Sequence, residues 1–223
     1  MLYFVGVGPG DPELITMKAA RILQEADAIA IPDSGKDSVV WKIAGKWMEG
    51  KPICRLPMPM KGKKEEWEEA HRHAAETLLD WLEKYETIVY PVLGDPGIYA
   101  SSSYLMKRIA PLHPCKVIPG IPAMCAAAAE LGIPLCEQGE ELTIIDHFEE
   151  ERLPDGNVVV MKGNRNLKKI KMATFEREAY VVCDLGMENM WLGNLTEETY
   201  IKKSYFTTVI IKGYGIPQIN TGR

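Results

Sequence analysis

Three short segments rich in glycine and proline each close an apolar run: Gly6-Val7-Gly8-Pro9-Gly10-Asp11-Pro12, Leu93-Gly94-Asp95-Pro96-Gly97-Ile98 and Ile118-Pro119-Gly120-Ile121-Pro122. Glycine lets a backbone turn tightly and approach a ligand without Cβ interference, while proline fixes φ and removes a donor. Chemistry at such loops rests on main-chain amides and carbonyls. Three of them, each ending a strand-like run, point to one shared pocket. In the first, Gly6 and Gly8 match the opening of G-x-G-x-x-G, but the sixth position is Asp11. A carboxylate there would repel phosphate where helix N-terminal amides should attract it. The ligand expected is therefore not a pyrophosphate, and an ordinary tight turn is the competing reading of the first loop alone.

The elements that must position these loops alternate in type from the start of the chain, the signature of an α/β architecture with mostly parallel strands. Strands are expected near Leu2–Val7, Ala28–Ile31, Thr87–Pro91 and Lys116–Ile118. Helices are expected over Thr16–Ala26 with Thr16 as cap, Ser38–Met48, Lys64–Lys84, Gly97–Ile109 and Ala123–Leu131. After Pro134 the texture shifts to shorter strands at Glu141–Ile145, Asn157–Met161, Ala179–Cys183 and Phe206–Lys212. This predicts two domains dividing between residues 112 and 122, taken as 1–115 and 116–223, with the ligand in the crevice between them.

At 223 residues and 46% hydrophobic content the chain can bury real cores, and a net charge of −5 argues against nucleic acid as a principal partner. No apolar run reaches bilayer length and no leader pattern opens the chain, so a cytoplasmic protein without membrane contact is expected. Five cysteines without a C-x-x-C pair read as reduced structural thiols, and four histidines without clustered carboxylates or thiols read as surface residues holding no metal. Two basic clusters interrupt the acidic balance: Lys61, Lys63 and Lys64, and the stretch Lys162 to Lys171. Such runs are usually solvated helix faces, with an acidic ligand as the alternative.

The segments G-V-G-P-G-D-P-E-L-I-T-M-K-A, L-G-D-P-G-I-Y and V-I-P-G-I-P-A resemble the tetrapyrrole methylases, the S-adenosylmethionine-dependent enzymes of sirohaem and cobalamin biosynthesis, over nearly the whole chain. Most branches of that family carry a double glycine before the Asp-Pro. Leu93 in the first of those positions is similar to the precorrin-2 C-20 methyltransferase branch. Softer matches to that branch are Ile31-Pro32 with Gly35, Ser38 and Ile43, the Pro57-Met58-Pro59-Met60 segment, and Tyr205 to Ile210.

The resemblance implies a two-domain α/β homodimer with a mostly parallel N-terminal sheet, a mixed C-terminal sheet and S-adenosylmethionine in the interdomain cleft. It implies cofactor contacts at Pro9, Leu93, Gly94, Asp95, Ile98, Pro122, Ala123 and Met161, with a tetrapyrrole, precorrin-2 or cobalt-factor II, accepting the methyl group. Pro122 and Ala123 stand where many relatives carry a hydroxyl residue. Lys162, Arg165 and Lys168 would meet the acidic side chains of that acceptor. Asp33, Tyr99 and Tyr104 are the candidates for removing the meso proton, against the plainer roles of loop capping and core packing. Asp95 also suits turn capping. The rival readings are methylation at C-11 or C-17, a diphthine-synthase-like methyltransferase, a nucleotide-dependent oxidoreductase, and a non-catalytic binding module.

Overall fold

The structure, a computed structural model, describes residues 1–33, 39–58, 64–150, 152–174 and 176–213. The chain divides into two compact units, Met1–Pro122 and Ala123–Arg223. A division at 115/116 would cut through a strand of the first sheet, Cys115–Ile118, which pairs with Leu2–Gly6. The first unit accordingly runs to Pro122.

The first unit is a five-stranded, all-parallel sheet built from β1 (Leu2–Gly6), β2 (Ala28–Asp33), β3 (Ile53–Pro57), β4 (Ile88–Val92) and β5 (Cys115–Ile118), in the order β3-β2-β4-β1-β5. Between them run α1 (Met17–Glu25), α2 (Val39–Met48), α3 (Lys64–Leu82) and α4 (Ser102–Ile109). The chain steps outward from β1 to β3 and then returns to β5. Right-handed crossovers therefore put α1 and α2 on one face and α3 and α4 on the other. The side chains of β1 and of Val7 just beyond it divide accordingly: Val5 and Val7 pack with Leu23 and Ile43, while Leu2 and Phe4 pack with Leu78 and Leu105. Apolar residues on both sides explain why β4 is buried along its whole length.

Thr16 caps α1 by accepting from the Ala19 amide at 3.1 Å, and Lys51 donates to the Gln24 and Ala26 carbonyls at its other end. The strand β3 has no counterpart in the sequence reading. It is an edge strand whose alternate residues, Arg55 and Pro57, are exposed. The helix expected from Gly97 starts only at Ser102, because residues 97–101 form turns.

On the long helix α3, Leu78 is fully buried in the first unit, and Trp81 packs against the same cluster. One of the histidines expected at the surface, His71 on this helix, is only 1% exposed. Its Nδ1 lies 2.7 Å from the Trp67 carbonyl and so carries the proton, while Nε2 is buried with no partner among the described residues. Burial, with a smaller push from Arg108, holds this imidazole below the ordinary histidine range against the opposing pull of the Trp67 carbonyl. The unfolded chain therefore takes up this proton first as pH falls. The contribution of neutral His71 to stability is complete above about pH 6.5 and is lost as pH drops toward the folded value. Urea midpoints measured from pH 7.5 to 5.5 are expected to fall more steeply for the wild type than for His71→Phe.

The second unit holds β6 (Leu142–Ile145), β7 (Asn157–Met161), β8 (Ala179–Cys183), β9 (Trp191–Asn194) and β10 (Thr207–Ile211), in the order β6-β7-β10-β8-β9. Only β6 and β7 pair in parallel; the other contacts are antiparallel. Helix α5 (Ala123–Leu131) packs on β10, and α6 (Leu167–Ala173) sends Ile170 into a core of Val158, Val160, Val181 and Val209. Among the described residues no helix is long and apolar enough to cross a membrane, and no group of histidine, cysteine or acidic residues is arranged to hold a metal.

Candidate functional site

The strands β4, β1 and β5 are neighbours, so the three glycine-proline loops leave the sheet side by side at its carboxyl edge, where open parallel sheets bind ligands. Their contact is direct. The ladder continues beyond the strands through Val7 N–H to the Val92 carbonyl at 2.9 Å. Gly8 and Gly94 then exchange amide-to-carbonyl bonds of 3.4 and 2.7 Å. Both sit in the left-handed region, at φ +84° and +72°. The third loop is pressed against the other two: a Cβ on Gly120 would lie 2.2 Å from the Gly94 oxygen, and one on Gly6 would lie 2.4 Å from the Gly120 nitrogen.

Asp95 fastens this arrangement. Its Oδ1 accepts from the Gly97 amide at 2.7 Å, closing its own loop, and its Oδ2 accepts from the Gly120 amide at 2.9 Å, joining the second loop to the third. The turn-capping role therefore holds, together with a cross-loop tie 25 residues away in sequence. Asp11 likewise turns inward on its own loop, accepting from Glu13 N–H at 2.8 Å to cap the short helical turn Pro12–Leu14. Over residues 6–11, 93–98 and 119–122 the side chains include two carboxylates and no cation. That donor set suits a ligand bearing positive charge and opposes phosphate.

Pro9 is buried; Leu93, Asp95, Ile98 and Pro122 are partly exposed around the same edge. Tyr99, in the second loop, adopts a left-handed backbone (φ +47°) that is rare for a non-glycine residue, and its side chain is 47% exposed. Tyr104 lies one turn into α4, its ring edge-on to Trp67 at 4.4 Å and near His71 at 5.5 Å, which is a packing role. Asp33 closes β2, and its side chain lies outside the described residues. Gly35, Ser38, Pro59, Met60, Lys61, Lys63 and the stretch from Tyr214 onward also fall outside them, as does the side chain of Lys64.

In the second unit Met161 ends β7 half-buried, and Lys162 follows with a left-handed backbone (φ +54°). The Lys162 ammonium lies 3.9 Å from Asp146 Oδ2. Lys169 and Lys171 donate to the Glu149 and Glu198 carbonyls, while Arg165 and Lys168 stand exposed. The basic stretch is thus partly a solvated helix face and partly a set of ties within the unit. Asp146 and His147, which sequence reasoning passed over, rise beside Met161 and Lys162 because β6 and β7 run in parallel.

The model of the tetrapyrrole (corrin/porphyrin) methylases matches residues 1–198. The chain belongs to this family. Among tetrapyrrole methylases, the chain is 30% identical to a probable cobalt-precorrin-2 C(20)-methyltransferase of Methanocaldococcus jannaschii, over 96% of each protein. It is also 30% identical to a precorrin-2 C(20)-methyltransferase of Sinorhizobium sp, over 94% of each. A uroporphyrin-III C-methyltransferase of Thermus thermophilus, solved with S-adenosyl homocysteine, has the same fold. Its TM-score is 0.66 and its identity 20%, over 95% of this chain and 91% of that one. In this family's terms, the α/β fold with one parallel and one mixed sheet is the one the sequence led us to expect.

Proposed function

We propose that this chain is an S-adenosylmethionine-dependent C-methyltransferase of corrin-ring biosynthesis, acting at C-20 of precorrin-2 or of cobalt-factor II. The observation that carries this reading is that two relatives named for the C(20) reaction match nearly end to end at 30% identity. One of those names specifies a cobalt-bearing substrate and the other does not, so both acceptors enter the test.

The three loops fit the cofactor, since their cation-free, carboxylate-bearing set of groups favours a ligand with sulfonium and ammonium charge. Pro9, Leu93, Gly94, Asp95 and Ile98, with Pro122, Ala123 and Met161, are the residues we assign to holding it. Bound S-adenosylmethionine supplies a methyl group already activated for displacement. The protein's own contribution is chiefly placement. Rigid backbone loops that hold two reactants in line can be worth roughly 7–11 kcal/mol of barrier. Loops stapled by the Gly8–Gly94 exchange and the Asp95 tie are suited to that task. We assign Lys162, Arg165 and Lys168 to the carboxylate groups of the acceptor; Arg165 and Lys168 are exposed to solvent. We further propose a homodimer in the cytoplasm, to be checked by light scattering and by fractionation.

Anaerobic incubation with methyl-labelled S-adenosylmethionine and each acceptor in turn is expected to place label on C-20, located by mass spectrometry and NMR. Label on C-11 or C-17 would keep the family and reject the branch. No transfer to either macrocycle would shift the reading to a diphthine-type acceptor.

A further inference from the structure

His147 and Asp146 form a pair that the reading so far leaves unused. The His147 Nδ1 lies 2.5 Å from Asp146 Oδ1. An ionised carboxylate only accepts, so Nδ1 carries the ring proton and Nε2 presents its lone pair. The second Asp146 oxygen faces the Lys162 ammonium at 3.9 Å, which fixes the carboxylate from the other side. Glu149 Oε1 lies 3.9 Å from Nε2, beyond hydrogen-bonding range.

The backbone beneath is anchored. Phe148 is 2% exposed, its carbonyl accepts from Asn166 Nδ2 at 2.8 Å, and Lys169 donates to the Glu149 carbonyl. The imidazole itself is 40% exposed, at the same strand edge as Met161 and Lys162. A histidine oriented by a carboxylate at Nδ1, with Nε2 open, is the arrangement by which enzymes hold a base ready.

We propose that His147 is the proton acceptor of the methylation reaction, positioned by Asp146; this rests on the functional reading above. Once the acceptor carbon holds both its hydrogen and the new methyl group, the macrocycle is cationic. The C–H bond then breaks, its electron pair enters the ring π system, and the proton bonds to His147 Nε2. The imidazolium, flanked by Asp146 and Glu149, releases that proton to solvent.

The test compares wild type, His147→Ala and Asp146→Ala in methyl transfer to precorrin-2 and cobalt-factor II, in S-adenosyl homocysteine titration, and by ¹⁵N-histidine NMR without ligands. His147→Ala is expected to lose turnover by about 100-fold while homocysteine-product affinity stays within about twofold, and added imidazole is expected to restore about tenfold. In the wild type the His147 ring is expected as the Nδ1–H tautomer, and in Asp146→Ala as the commoner Nε2–H form. Turnover of His147→Ala within about threefold of wild type overturns the proposal, as does a loss untouched by imidazole or an Nε2-protonated wild-type ring. A wild type inert toward both macrocycles would overturn the functional reading and this one with it.

Discussion

Replacing Asp95 with alanine is expected to lower stability by about 3 kcal/mol, because two backbone amides lose a charged acceptor at once. The two bonds are not equal. The tie to Gly120 is part-buried, so its amide is left partly without water, whereas the Gly97 amide is exposed and can rehydrate. Most of the loss therefore comes from the cross-loop bond. Asp95→Asn is the sharper test, since an amide offers one oxygen and turns its NH2 toward the other N–H; it should lose about 2 kcal/mol, not recover the wild-type value. Urea unfolding measures this term. Calorimetric titration with S-adenosyl homocysteine measures the second, an expected weakening of at least about tenfold, or about 1.4 kcal/mol, as Gly94 and Ile98 lose their fixed position. Unchanged binding with lowered stability would separate the loop tie from the ligand site and remove Asp95 from it.

Gly120→Ala should be more damaging still. The added methyl would sit 2.2 Å from the Gly94 oxygen and 2.8 Å from the Gly6 carbonyl carbon, and both obstacles are main chain. A flexible side chain could swing aside; a strand end hydrogen-bonded to its neighbours cannot. Overpacking costs typically 1–3 kcal/mol, and with backbone on both sides the expected loss is about 3 kcal/mol or more. Because the loops must part to admit the methyl, S-adenosyl homocysteine affinity should fall even in the fraction that remains folded. Thermal unfolding with and without that ligand reads both effects, and a variant that keeps a normal ligand-induced rise in Tm would show that the three loops need not touch to bind.

Much of this site was legible in the sequence because its chemistry is backbone chemistry, and glycine and proline announce backbone geometry directly. Gly6, Gly8, Gly94 and Gly120 converge as the three-loop reading requires. What the sequence hid was contact between distant positions. Nothing near Asp95 signals that its second oxygen reaches residue 120. Likewise, nothing near His147 signals that β6 will lie beside β7 and bring Lys162 to Asp146. His71 was misjudged for a similar reason: an α-helical face turns inward or outward according to what packs on it, and here Trp67 and Tyr104 close over the ring.

Of the ten strands among the described residues, the two without a counterpart in the sequence reading, β3 and β9, both lie at a sheet edge. The strand β3 is bracketed by Pro52 and Pro57 and carries Arg55 outward, while β9 is four residues long and includes Gly193. Edge strands are kept short and polar to discourage stray pairing, and that same device removes the apolar alternation by which strands are recognised. The misplaced start of α4 has another cause, since residues 97–101 carry no cap signal that distinguishes a turn from a first helical turn. Ser101 stands at the cap position without a side-chain cap bond.

The placement of β1 bears on how the chain is made. Among the described residues its sheet partners are β4 and β5, so Leu2 waits for Ile88 on one side and Cys115 on the other. During synthesis β1 emerges before both of these neighbours and must wait for them. Throughout that interval α1, β2, α2 and β3 can associate among themselves, but β1, an interior strand of the finished sheet, has bare amides and carbonyls on both sides. Non-local parallel pairing of this kind is slow and leaves sticky intermediates. A ribosome stalled before residue 118 would therefore display an aggregation-prone fragment, and the yield of soluble protein should depend on chaperone supply and elongation rate more than on the stability of the finished fold.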